Sequence, residues 1–411
     1  MTYQYVIVGG GHAGAYAIEG IRSQDPTGSI LLLSRENHPP YERPPLSKGL
    51  WMGKTTRDQL PIHPDTYYRE KKVDLVLRRE VVEIDPEHRR IWDDHGATYD
   101  YEKLLLVTGA RPRRLDIEGA DSEGVHYYRS LEDYMFFADY LPRFQHALIL
   151  GGGFIGMEMA AALRTAGKEI TLLYPNEYPL PRVLTRELGL YVADYYRDKG
   201  VETVSGETVV KIEERAELAA FTTNGNEVTT QIVLAGIGAE PVTDLAEGAG
   251  LEVGNGIEVD EYARTSDPHI YAAGDVAEFP YIALDRRMRI EHVNHAQEHG
   301  RAAGANMAGA NRPYTYMPYF YSDLFELGWE AVGLLDSSLQ THSVWKEEYR
   351  EGVVFYLQDD AIRGVLLWNA WEKVDWARGL IREGKPLSGD EREKLALGAL
   401  EVAVVPPWKT E

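Results

Sequence analysis

The chain contains no cysteine among its 411 residues, and this absence excludes several kinds of chemistry. No disulfide can staple the fold, and no thiolate can bind a metal ion. The 12 histidines show no spacing typical of a metal site, so we expect none. A mechanism that relays electrons through a redox-active dithiol is also excluded.

Long hydrophobic runs are absent as well. No apolar stretch approaches the roughly 20 residues that a membrane-spanning helix needs, so we expect no membrane span. The first residues, Met1–Gln4, lead directly into an apolar run, which leaves no room for a signal or transit peptide. A cytoplasmic location is the resulting expectation.

Positive charge is scarce. The chain has 43 lysines and arginines against 65 acidic residues, which gives a formal net charge of −22. Such a surface disfavours nucleic acids and anionic membranes, and it repels an acidic ferredoxin unless a local basic patch exists. Residues 111–114 and 286–289 are short basic runs that could form a patch. Because short charge runs usually face water, we interpret both as solvated loop charge.

Two glycine-rich turns of the same form are the most informative motifs that are present. Gly9–Gly14 follows the apolar run Tyr5–Val8, and Gly151–Gly156 follows Ala147–Leu150. Each pattern predicts a strand, a tight turn and a helix N-terminus, where free N–H groups and the helix dipole bind a pyrophosphate. Two such turns imply two dinucleotides. We therefore predict an enzyme that passes a hydride from a nicotinamide to a flavin.

The turns also indicate which residues bind the dinucleotides. The expected pyrophosphate contacts are Gly9, Gly11, His12, Ala13 and Gly14 for FAD, and Gly151, Gly153, Ile155 and Gly156 for the nicotinamide dinucleotide. An acidic residue about 20 positions after such a turn binds the adenosine ribose. Glu36 fits this role for FAD, with plain loop charge as the alternative.

The order of elements predicts an α/β fold with one dinucleotide-binding domain inserted into another. We expect two Rossmann-like domains, with FAD bound by residues 1–111 and 244–317 and NAD(H) by residues 112–243. A C-terminal α+β domain should follow at 318–411. Its predicted hairpin pairs residues 353–357 with 363–368, and a helix is predicted over 370–382.

Several further motifs resemble the flavin-dependent pyridine nucleotide-disulfide reductase superfamily. They are Tyr41–Lys48, Val107–Ala110 and Ala273–Asp275, in addition to the two glycine turns. The segment Arg-Pro-Pro-Leu-Ser-Lys at 43–48 is similar to the branch that holds ferredoxin reductases and apoptosis-inducing factor. The last quarter of the chain, at 320–323, 328–339 and 352–357, looks more like apoptosis-inducing factor.

The chain also departs from the animal members of that branch. It lacks their mitochondrial leader and the long insertion near the C-terminus, since it passes directly from Trp345 to the predicted hairpin. A nuclear or apoptotic role therefore has no support in the sequence. A compact prokaryotic oxidoreductase is the interpretation that the resemblance favours.

The resemblance implies further contacts to FAD. The residues concerned are Arg43, Val82, Thr108, Gly109, Arg129, Gly274 and Asp275. Arg43 should contact the adenosine side, Arg129 should lie near the flavin, and Asp275 should meet the ribityl chain. An ordinary salt bridge is the alternative for Arg129, and a structural cap is the alternative for Asp275.

The resemblance also implies the catalytic residues. Lys48 should sit beside flavin N5, and Glu158 should be its charge partner, because an unpaired buried charge is costly. A positive charge near N5 favours the anionic reduced flavin. Glu291 and His292 match a pair beside the flavin, with Tyr321 opposite in place of the usual tryptophan. A purely structural histidine is the alternative for His292.

The second cofactor is expected to be NAD(H) rather than NADP(H). An acid after the strand at 170–173 binds the ribose and rejects a 2′-phosphate, whereas an arginine cluster accepts it. Here Glu177 follows Asn176, and Arg182 lies five residues further. We assign Gly238 to the same cofactor site. By resemblance, Phe154 gates the flavin face and Glu330 binds the nicotinamide amide.

Three functions remain open at this stage. The first is oxidation of NADH with transfer to a small acceptor such as a quinone, a dye or oxygen. The second is reduction of a ferredoxin or rubredoxin. The third is a redox sensor in which NADH reduces FAD and changes the assembly, for which a homodimer is the simplest form. Trp368, Trp371 and Trp376 are expected to pack in the core.

Overall fold

The computed structural model describes residues 2–401, which form 25 strands and nine α-helices. The strands are β1 (Thr2–Val8), β2 (Ile30–Ser34), β3 (Val73–Leu77), β4 (Val81–Asp85), β5 (Arg90–Asp93), β6 (Thr98–Leu106), β7 (Ala110–Pro112), β8 (Val125–His126), β9 (His146–Leu150), β10 (Glu169–Tyr174), β11 (Val201–Ser205), β12 (Val209–Glu214), β13 (Leu218–Thr222), β14 (Glu227–Thr230), β15 (Ile232–Ala235), β16 (Ala239–Pro241), β17 (Ile257–Glu258), β18 (Ile270–Ala272), β19 (Ala277–Tyr281), β20 (Arg286–Arg289), β21 (Tyr319–Leu324), β22 (Leu327–Gly333), β23 (Gln340–Glu347), β24 (Glu351–Gln358) and β25 (Ala361–Trp368). The α-helices are α1 (His12–Gln24), α2 (Asp65–Glu70), α3 (Leu131–Tyr140), α4 (Phe154–Thr165), α5 (Arg186–Asp198), α6 (Asp244–Gly248), α7 (Val293–Met307), α8 (Val374–Glu383) and α9 (Gly389–Glu401).

These elements form two compact units. Unit 1 comprises residues 2–42, 57–111 and 240–318, and unit 2 comprises residues 43–56, 112–239 and 319–401. Residues 402–411, the end of the predicted C-terminal domain, lie outside the described residues. Within residues 2–401, no helix is both long enough and apolar enough to cross a bilayer.

Unit 1 is built on a sheet with the order β3-β2-β1-β6-β5-β4, and β18 pairs with β6. Strand β1 is parallel to both of its neighbours, so that Ile7 lies opposite Leu32 and Leu105. All three side chains are fully buried. A parallel strand covered on both faces needs apolar residues at successive positions, which explains the continuous hydrophobic run before the first glycine turn.

Helices α1 and α7 of unit 1 cross at very close range. A Cβ atom added at Gly304 would lie 2.1 Å from the carbonyl oxygen of Ala17, and one added at Gly20 would lie 2.1 Å from that of Arg301. Glycines at these contacts let the two backbones approach. The crossing fixes α7 relative to the first glycine turn, because both the turn and α1 continue directly from β1.

Unit 2 contains a second parallel sheet and an antiparallel one. The parallel sheet has the order β11-β10-β9-β15-β8, and strands β12, β13 and β14 form a separate three-stranded sheet. The antiparallel sheet has the order β21-β22-β25-β24-β23. Helix α8 packs on β22 and β25, and α9 packs on β23.

The predicted fold class is confirmed: unit 1 and unit 2 each contain a Rossmann-like sheet, and unit 2 also contains the C-terminal α+β region. The predicted hairpin is present as β24 and β25. The predicted helix over 370–382 begins later, at Val374, because Asn369 and Glu372 adopt positive φ values of 49° and 60° that interrupt a helix. Trp368 and Trp371 are buried as expected, and Trp376 is half-buried.

Candidate active site

The first glycine turn leaves an open cradle at the N-terminus of α1. A Cβ atom on Gly9 would lie 2.2 Å from the carbonyl oxygen of Val107, and one on Gly14 would lie 2.3 Å from that of Gly9. In contrast, nothing lies within 4 Å of a Cβ atom on Gly11, the residue that precedes the helix. The outer glycines are thus required for packing, and the middle one leaves room for a pyrophosphate against free helix N–H groups.

The second glycine turn repeats this arrangement in unit 2. A Cβ atom on Gly151 would lie 2.3 Å from the carbonyl oxygen of Gly236, and one on Gly156 would lie 1.9 Å from that of Gly151. A Cβ atom on Gly153 would meet only one atom within 4 Å, at 3.9 Å. Both turns therefore fit a dinucleotide pyrophosphate by the same geometry.

The other residues predicted to contact FAD near the first turn make polar contacts within unit 1. His12 is buried, and its Nε2 lies 2.9 Å from Oε2 of Glu42. Glu36 accepts a hydrogen bond of 2.6 Å from the hydroxyl of Tyr41. A Cβ atom on Gly274, whose φ is +73°, would lie 3.0 Å from Cβ of Ala13. The Gly-Asp turn thus abuts the first turn of α1.

Further FAD candidates in unit 1 lie on β4 and in the loops after β6 and β18. Thr108 Oγ1 donates to the carbonyl of Val242 at 2.7 Å, and Gly109 adopts a positive φ of 72°. Val82 lies on β4 with an exposed side chain. The carbonyl of Asp275 accepts a hydrogen bond of 3.1 Å from Arg289.

A buried ion pair joins Lys48 and Glu158 in unit 2, as predicted. Nζ of Lys48 lies 2.6 Å from Oε2 of Glu158, whose side chain is only 5% exposed. Glu158 lies on the second turn of α4, which begins at Phe154. Arg43, at the start of the same proline-rich segment, donates to the carbonyl of Arg129 at 3.0 Å.

Two serines that were not singled out from the sequence complete this cluster. Ser47 Oγ donates to Oε2 of Glu158 at 2.6 Å, and Ser322 Oγ donates to Oε1 at 2.8 Å. The buried carboxylate therefore accepts three hydrogen bonds. Sequence position offered a partial signal, since each serine directly adjoins a predicted site residue, Lys48 or Tyr321.

Strand β21 places two more groups near this pair. The ring centroid of Tyr321 lies 5.6 Å from Nζ of Lys48, and the residue is 38% exposed. Asp323 lies two positions further along the strand. Burial raises the pKa of its carboxyl, while the positive charge of Lys48 opposes that rise. The cluster thus contains a fixed positive charge next to an accessible aromatic ring.

The residues predicted to hold the nicotinamide lie on α4 and β22 of unit 2. The ring of Phe154 lies 6.0 Å from that of Phe320 and 5.7 Å from that of Trp329. Ile155, which follows it on α4, is exposed. Glu330 on β22 accepts a hydrogen bond of 3.1 Å from the backbone N–H of Glu372, and burial raises the pKa of its carboxyl.

The residues predicted to select the cofactor are exposed. Glu177 forms an ion pair with Arg186, which lowers the pKa of the Glu177 carboxyl. The carbonyl of Asn176 accepts from the N–H of Gly206 at 3.1 Å, and the carbonyl of Arg182 accepts from that of Ser337, also at 3.1 Å. Both side chains therefore remain at the surface.

Gly238, assigned to the same cofactor site, lies in the loop after β15. It adopts a positive φ of 113°, a conformation that favours glycine. Its carbonyl accepts a hydrogen bond of 3.0 Å from the N–H of Arg113.

Helix α7 carries three histidines near its N-terminus, of which sequence analysis selected only the first. Helix α7 begins at Val293, directly after His292, whose backbone is extended. Burial lowers the pKa of His292 to about 4 and that of His299 to about 3. Burial also lowers the pKa of His295, which is fully buried.

His299 has a defined role in the packing of the Gly-Asp turn. Its Nδ1 accepts a hydrogen bond of 3.3 Å from the backbone N–H of Gly274. A nitrogen that accepts carries no proton, so the neutral ring bears its proton on Nε2. Nδ1 of His295 lies 3.1 Å from the hydroxyl of Tyr314. No sequence pattern distinguishes these two histidines from other residues on the buried face of a helix.

Arginines in both basic runs, 111–114 and 286–289, form ion pairs with acidic residues. Arg111 pairs with Glu240 and Asp244, each at 2.8 Å. Arg289 pairs with Glu291, which was predicted to lie beside the flavin together with His292. Arg287 donates to the carbonyl of Glu278 at 2.8 Å. Within residues 2–401, no group of three or more histidines, aspartates or glutamates is arranged to hold a metal ion.

Comparison with known proteins gives matches over most of the chain. Residues 3–300 match the family profile described as pyridine nucleotide-disulphide oxidoreductase. Residues 303–348 and 345–383 match the profile described as apoptosis-inducing factor, mitochondrion-associated, C-term. The two profiles meet in the middle of α7.

Individual relatives agree with these matches. A ferredoxin reductase subunit of 5,5′-dehydrodivanillate O-demethylase from Sphingobium sp. (strain NBRC 103272 / SYK-6) is 34% identical, over 96% of each chain. The seedling isozyme of monodehydroascorbate reductase from Cucumis sativus is 33% identical, over 81% of this chain and 82% of its own. The solved covalent putidaredoxin reductase–putidaredoxin complex has a TM-score of 0.90 and 30% identity, and the match covers 98% of this chain and 99% of that one.

The buried histidines should make the protein less stable in mild acid. At pH 5 a histidine with a folded pKa of about 3 or 4 stays neutral, whereas the unfolded chain, with a pKa of 6.5, is mostly protonated. Stability is thus present above pH 6.5 and falls as the pH drops below it, by about 2 kcal/mol at pH 5 for each of His292 and His299. Urea unfolding at pH 8 and pH 5 measures this difference. His299→Gln should reduce the difference in unfolding free energy between pH 8 and pH 5 by about 2 kcal/mol. His88→Gln, at an exposed histidine, is the control and should leave that difference unchanged. An unaltered difference in His299→Gln would refute the assignment.

Proposed function

The chain belongs to the pyridine nucleotide-disulphide oxidoreductase family, and on this premise we propose that it transfers a hydride from NADH to N5 of FAD and passes the electrons to a small acceptor. Family members use FAD and a nicotinamide dinucleotide, and this chain is an FAD-dependent NAD(P)H oxidoreductase without a redox-active disulfide. The observation that carries the proposal is the buried Lys48–Glu158 ion pair, at 2.6 Å, in a chain with two pyrophosphate cradles.

We assign the two cofactors to the two glycine turns. Residues 1–111 and 244–317 would bind FAD, residues 112–243 would bind NAD(H), and 318–411 would form the C-terminal domain. The equal geometry of the two turns supports one dinucleotide at each. Glu36 and Arg43 would bind the adenosine part of FAD, and Asp275 would bind its ribityl chain. Phe154 and Glu330 would hold the nicotinamide.

Lys48 supplies the positive charge that the reaction needs. Bound FAD would supply the hydride-accepting N5 and the means to release electrons singly or in pairs. Glu158 keeps the Lys48 ammonium paired inside the protein, where an isolated charge is unstable. An ammonium held in place before the reaction stabilises the negative charge that develops, because it needs no reorganisation. His292 is neutral above about pH 4, so it can orient a cofactor by hydrogen bonding without adding charge.

We infer NADH as the preferred donor. A carboxylate at Glu177 accepts hydrogen bonds from a ribose and repels a 2′-phosphate. Its ion pair with Arg186 balances the charge of that arginine, which would otherwise attract the phosphate. Arg182 is the remaining cation of this loop, and its exposed position gives it no fixed geometry toward a phosphate.

A small acceptor accounts best for the surface charge. The net charge of −22 repels an acidic redox protein, and acidic partners already pair with Arg111 and Arg289. The second function, reduction of a ferredoxin-type protein, is supported by the relatives named as ferredoxin reductases and by the putidaredoxin complex. The match to the C-terminal profile of apoptosis-inducing factor supports the third, an NADH-responsive sensor that forms a homodimer. A cytoplasmic location remains part of the proposal.

Removal of the Lys48 amine should abolish most flavin reduction by NADH. Loss of one preorganised electrostatic group lowers a catalytic rate by about 100-fold or more, so Lys48→Ala should slow single-turnover reduction by that order. Stopped-flow absorbance of the flavin under anaerobic conditions measures the rate. Lys385→Ala, at a lysine that is 73% exposed, is the matched control. Unchanged reduction kinetics in Lys48→Ala would contradict the role of the amine.

The preference between the two nicotinamide dinucleotides should follow Glu177. We expect kcat/KM for NADH to exceed that for NADPH by about tenfold or more, a difference of about 1.4 kcal/mol. Glu177→Ala should lower the ratio of kcat/KM for NADH to that for NADPH, because Arg186 loses its acidic partner and can attract the 2′-phosphate. Steady-state kinetics with both donors provide the values, and a clear NADPH preference in the wild-type protein would overturn the assignment.

Turnover with different acceptors should separate the three functions. We expect rapid anaerobic NADH oxidation with a soluble quinone and no added protein. If cytochrome is reduced only after addition of a ferredoxin, the second function is correct. If NADH instead produces a long-lived charge-transfer band and a larger mass in gel filtration, the sensor function is correct.

A further inference from the structure

Two serines donate hydrogen bonds to the buried Glu158 carboxylate, one to each oxygen. Oε2 accepts hydrogen bonds from Ser47 and Lys48, both at 2.6 Å, and Oε1 accepts one from Ser322 at 2.8 Å. Among the described residues, Ser322 is the single donor to Oε1. It is fully buried, so water cannot easily take its place. The ion pair alone would leave one carboxylate oxygen without a partner, which is costly in a buried site.

The donors to Glu158 come from separate elements of unit 2. Ser47 ends a short 3₁₀ segment, Pro44–Ser47, whose two prolines restrict the backbone. Glu158 lies on α4 and Ser322 on β21. The register of β21 is fixed by its pairing with β22, in which Ser322 lies opposite Trp329. The carboxylate is therefore held between rigid elements.

Strand β21 contacts both members of the ion pair. Ser322 binds the carboxylate, and the ring of its neighbour Tyr321 lies 5.6 Å from the ammonium of Lys48. A lysine side chain has four rotatable carbon bonds, and its ammonium adopts one position only if its partners are fixed. Rotation of the Glu158 carboxylate would break the bond to Ser322 and move the oxygen that holds Lys48. The hydroxyl of Ser322 opposes this rotation.

We infer that Ser322, together with Ser47, is a positioning residue for the redox reaction. It orients Glu158 and thereby holds Nζ of Lys48 at the point where charge develops during hydride transfer. The inference rests on the proposed function, because it assumes that Lys48 acts on a bound flavin. Its effect falls on the chemical step and not on NADH binding.

The test compares Ser322→Ala with one variant that keeps a hydroxyl at position 322 and with one that changes a different serine. We expect Ser322→Ala to slow single-turnover flavin reduction about tenfold at saturating NADH, since small displacements of a catalytic group cost that much or more. The dissociation constant for NADH should stay within about twofold of the wild-type value, as expected when a group acts only in the transition state. Ser322→Thr, which keeps the hydroxyl, should restore most of the rate. Ser343→Ala, at an exposed serine of β23 in the same sheet, should change neither value.

A double-mutant cycle shows whether Ser322 acts through Glu158. In a Glu158→Gln background, Ser322→Ala should slow reduction by less than about twofold, because the carboxylate that it orients is already gone. Equal effects in both backgrounds would overturn the inference. An equilibrium titration with a reference dye gives a readout other than activity. We expect Ser322→Ala to favour reduced over oxidised flavin about tenfold less than the wild-type protein does. For a two-electron couple, this corresponds to a midpoint potential that is lower by about 30 mV.

The outcomes separate this inference from the function on which it rests. If the wild-type protein binds no flavin, or NADH does not reduce it, the proposed function fails and the inference fails with it. If wild-type reduction is fast and Ser322→Ala matches it in rate and potential, only the inference fails. Should Ser322→Ala not fold, Ser47→Ala removes the other serine donor to Glu158 and is expected to show the same pattern.

Discussion

The buried ion pair between Lys48 and Glu158 is the interaction on which the rest of the site depends. The side chains of Lys48 and Glu158 are only 14% and 5% exposed, and an unpaired charge removed from water costs several kcal/mol. Their attraction offsets this cost only if the remaining lone pairs and protons are satisfied, and the two serines meet that condition for the carboxylate. The site therefore requires the proline-rich segment, α4 and β21 to be assembled correctly. A single carboxylate ties these three elements of unit 2 together.

The two glycine turns show how steric constraint makes a sequence predictable. At Gly9 and Gly151 a side chain would overlap a carbonyl oxygen of a neighbouring loop, and at Gly14 and Gly156 it would overlap the turn itself. Only glycine, which has no side chain, fits at these positions. The same glycine pattern is therefore expected wherever the chain forms this turn. This is why both turns, the parallel strands before them and the helices after them could be predicted from the residues alone. The ion pair was predictable for a different reason: the family resemblance implied the positions of Lys48 and Glu158, and a buried lysine needs an acidic partner.

The contacts that sequence reasoning missed are those that depend on tertiary structure. The position of Ser322 next to Tyr321 suggests that it lies near the site, but the local sequence does not indicate that its hydroxyl faces a carboxylate on α4. His295 and His299 fit the spacing of a buried helix face, so their contacts to Tyr314 and Gly274 become visible only when α7 is packed. The start of α8 was predicted four residues too early, and the error has a local cause. The positive φ values of Asn369 and Glu372 interrupt a stretch whose composition suits a helix.

The two units use opposite electrostatic solutions for their buried ionisable groups. Unit 2 keeps a charged pair and provides hydrogen bonds to preserve it, whereas unit 1 buries His295 and His299 of α7 against the ring of Phe279 and lowers their pKa values. A neutral imidazole can accept a hydrogen bond, as His299 does from Gly274, without contributing charge. If those histidines were protonated near neutral pH, they would place positive charges in a buried site, which is costly. Within unit 2, Glu158 holds the Lys48 ammonium in a fixed position, and a fixed charge is what a developing anion requires.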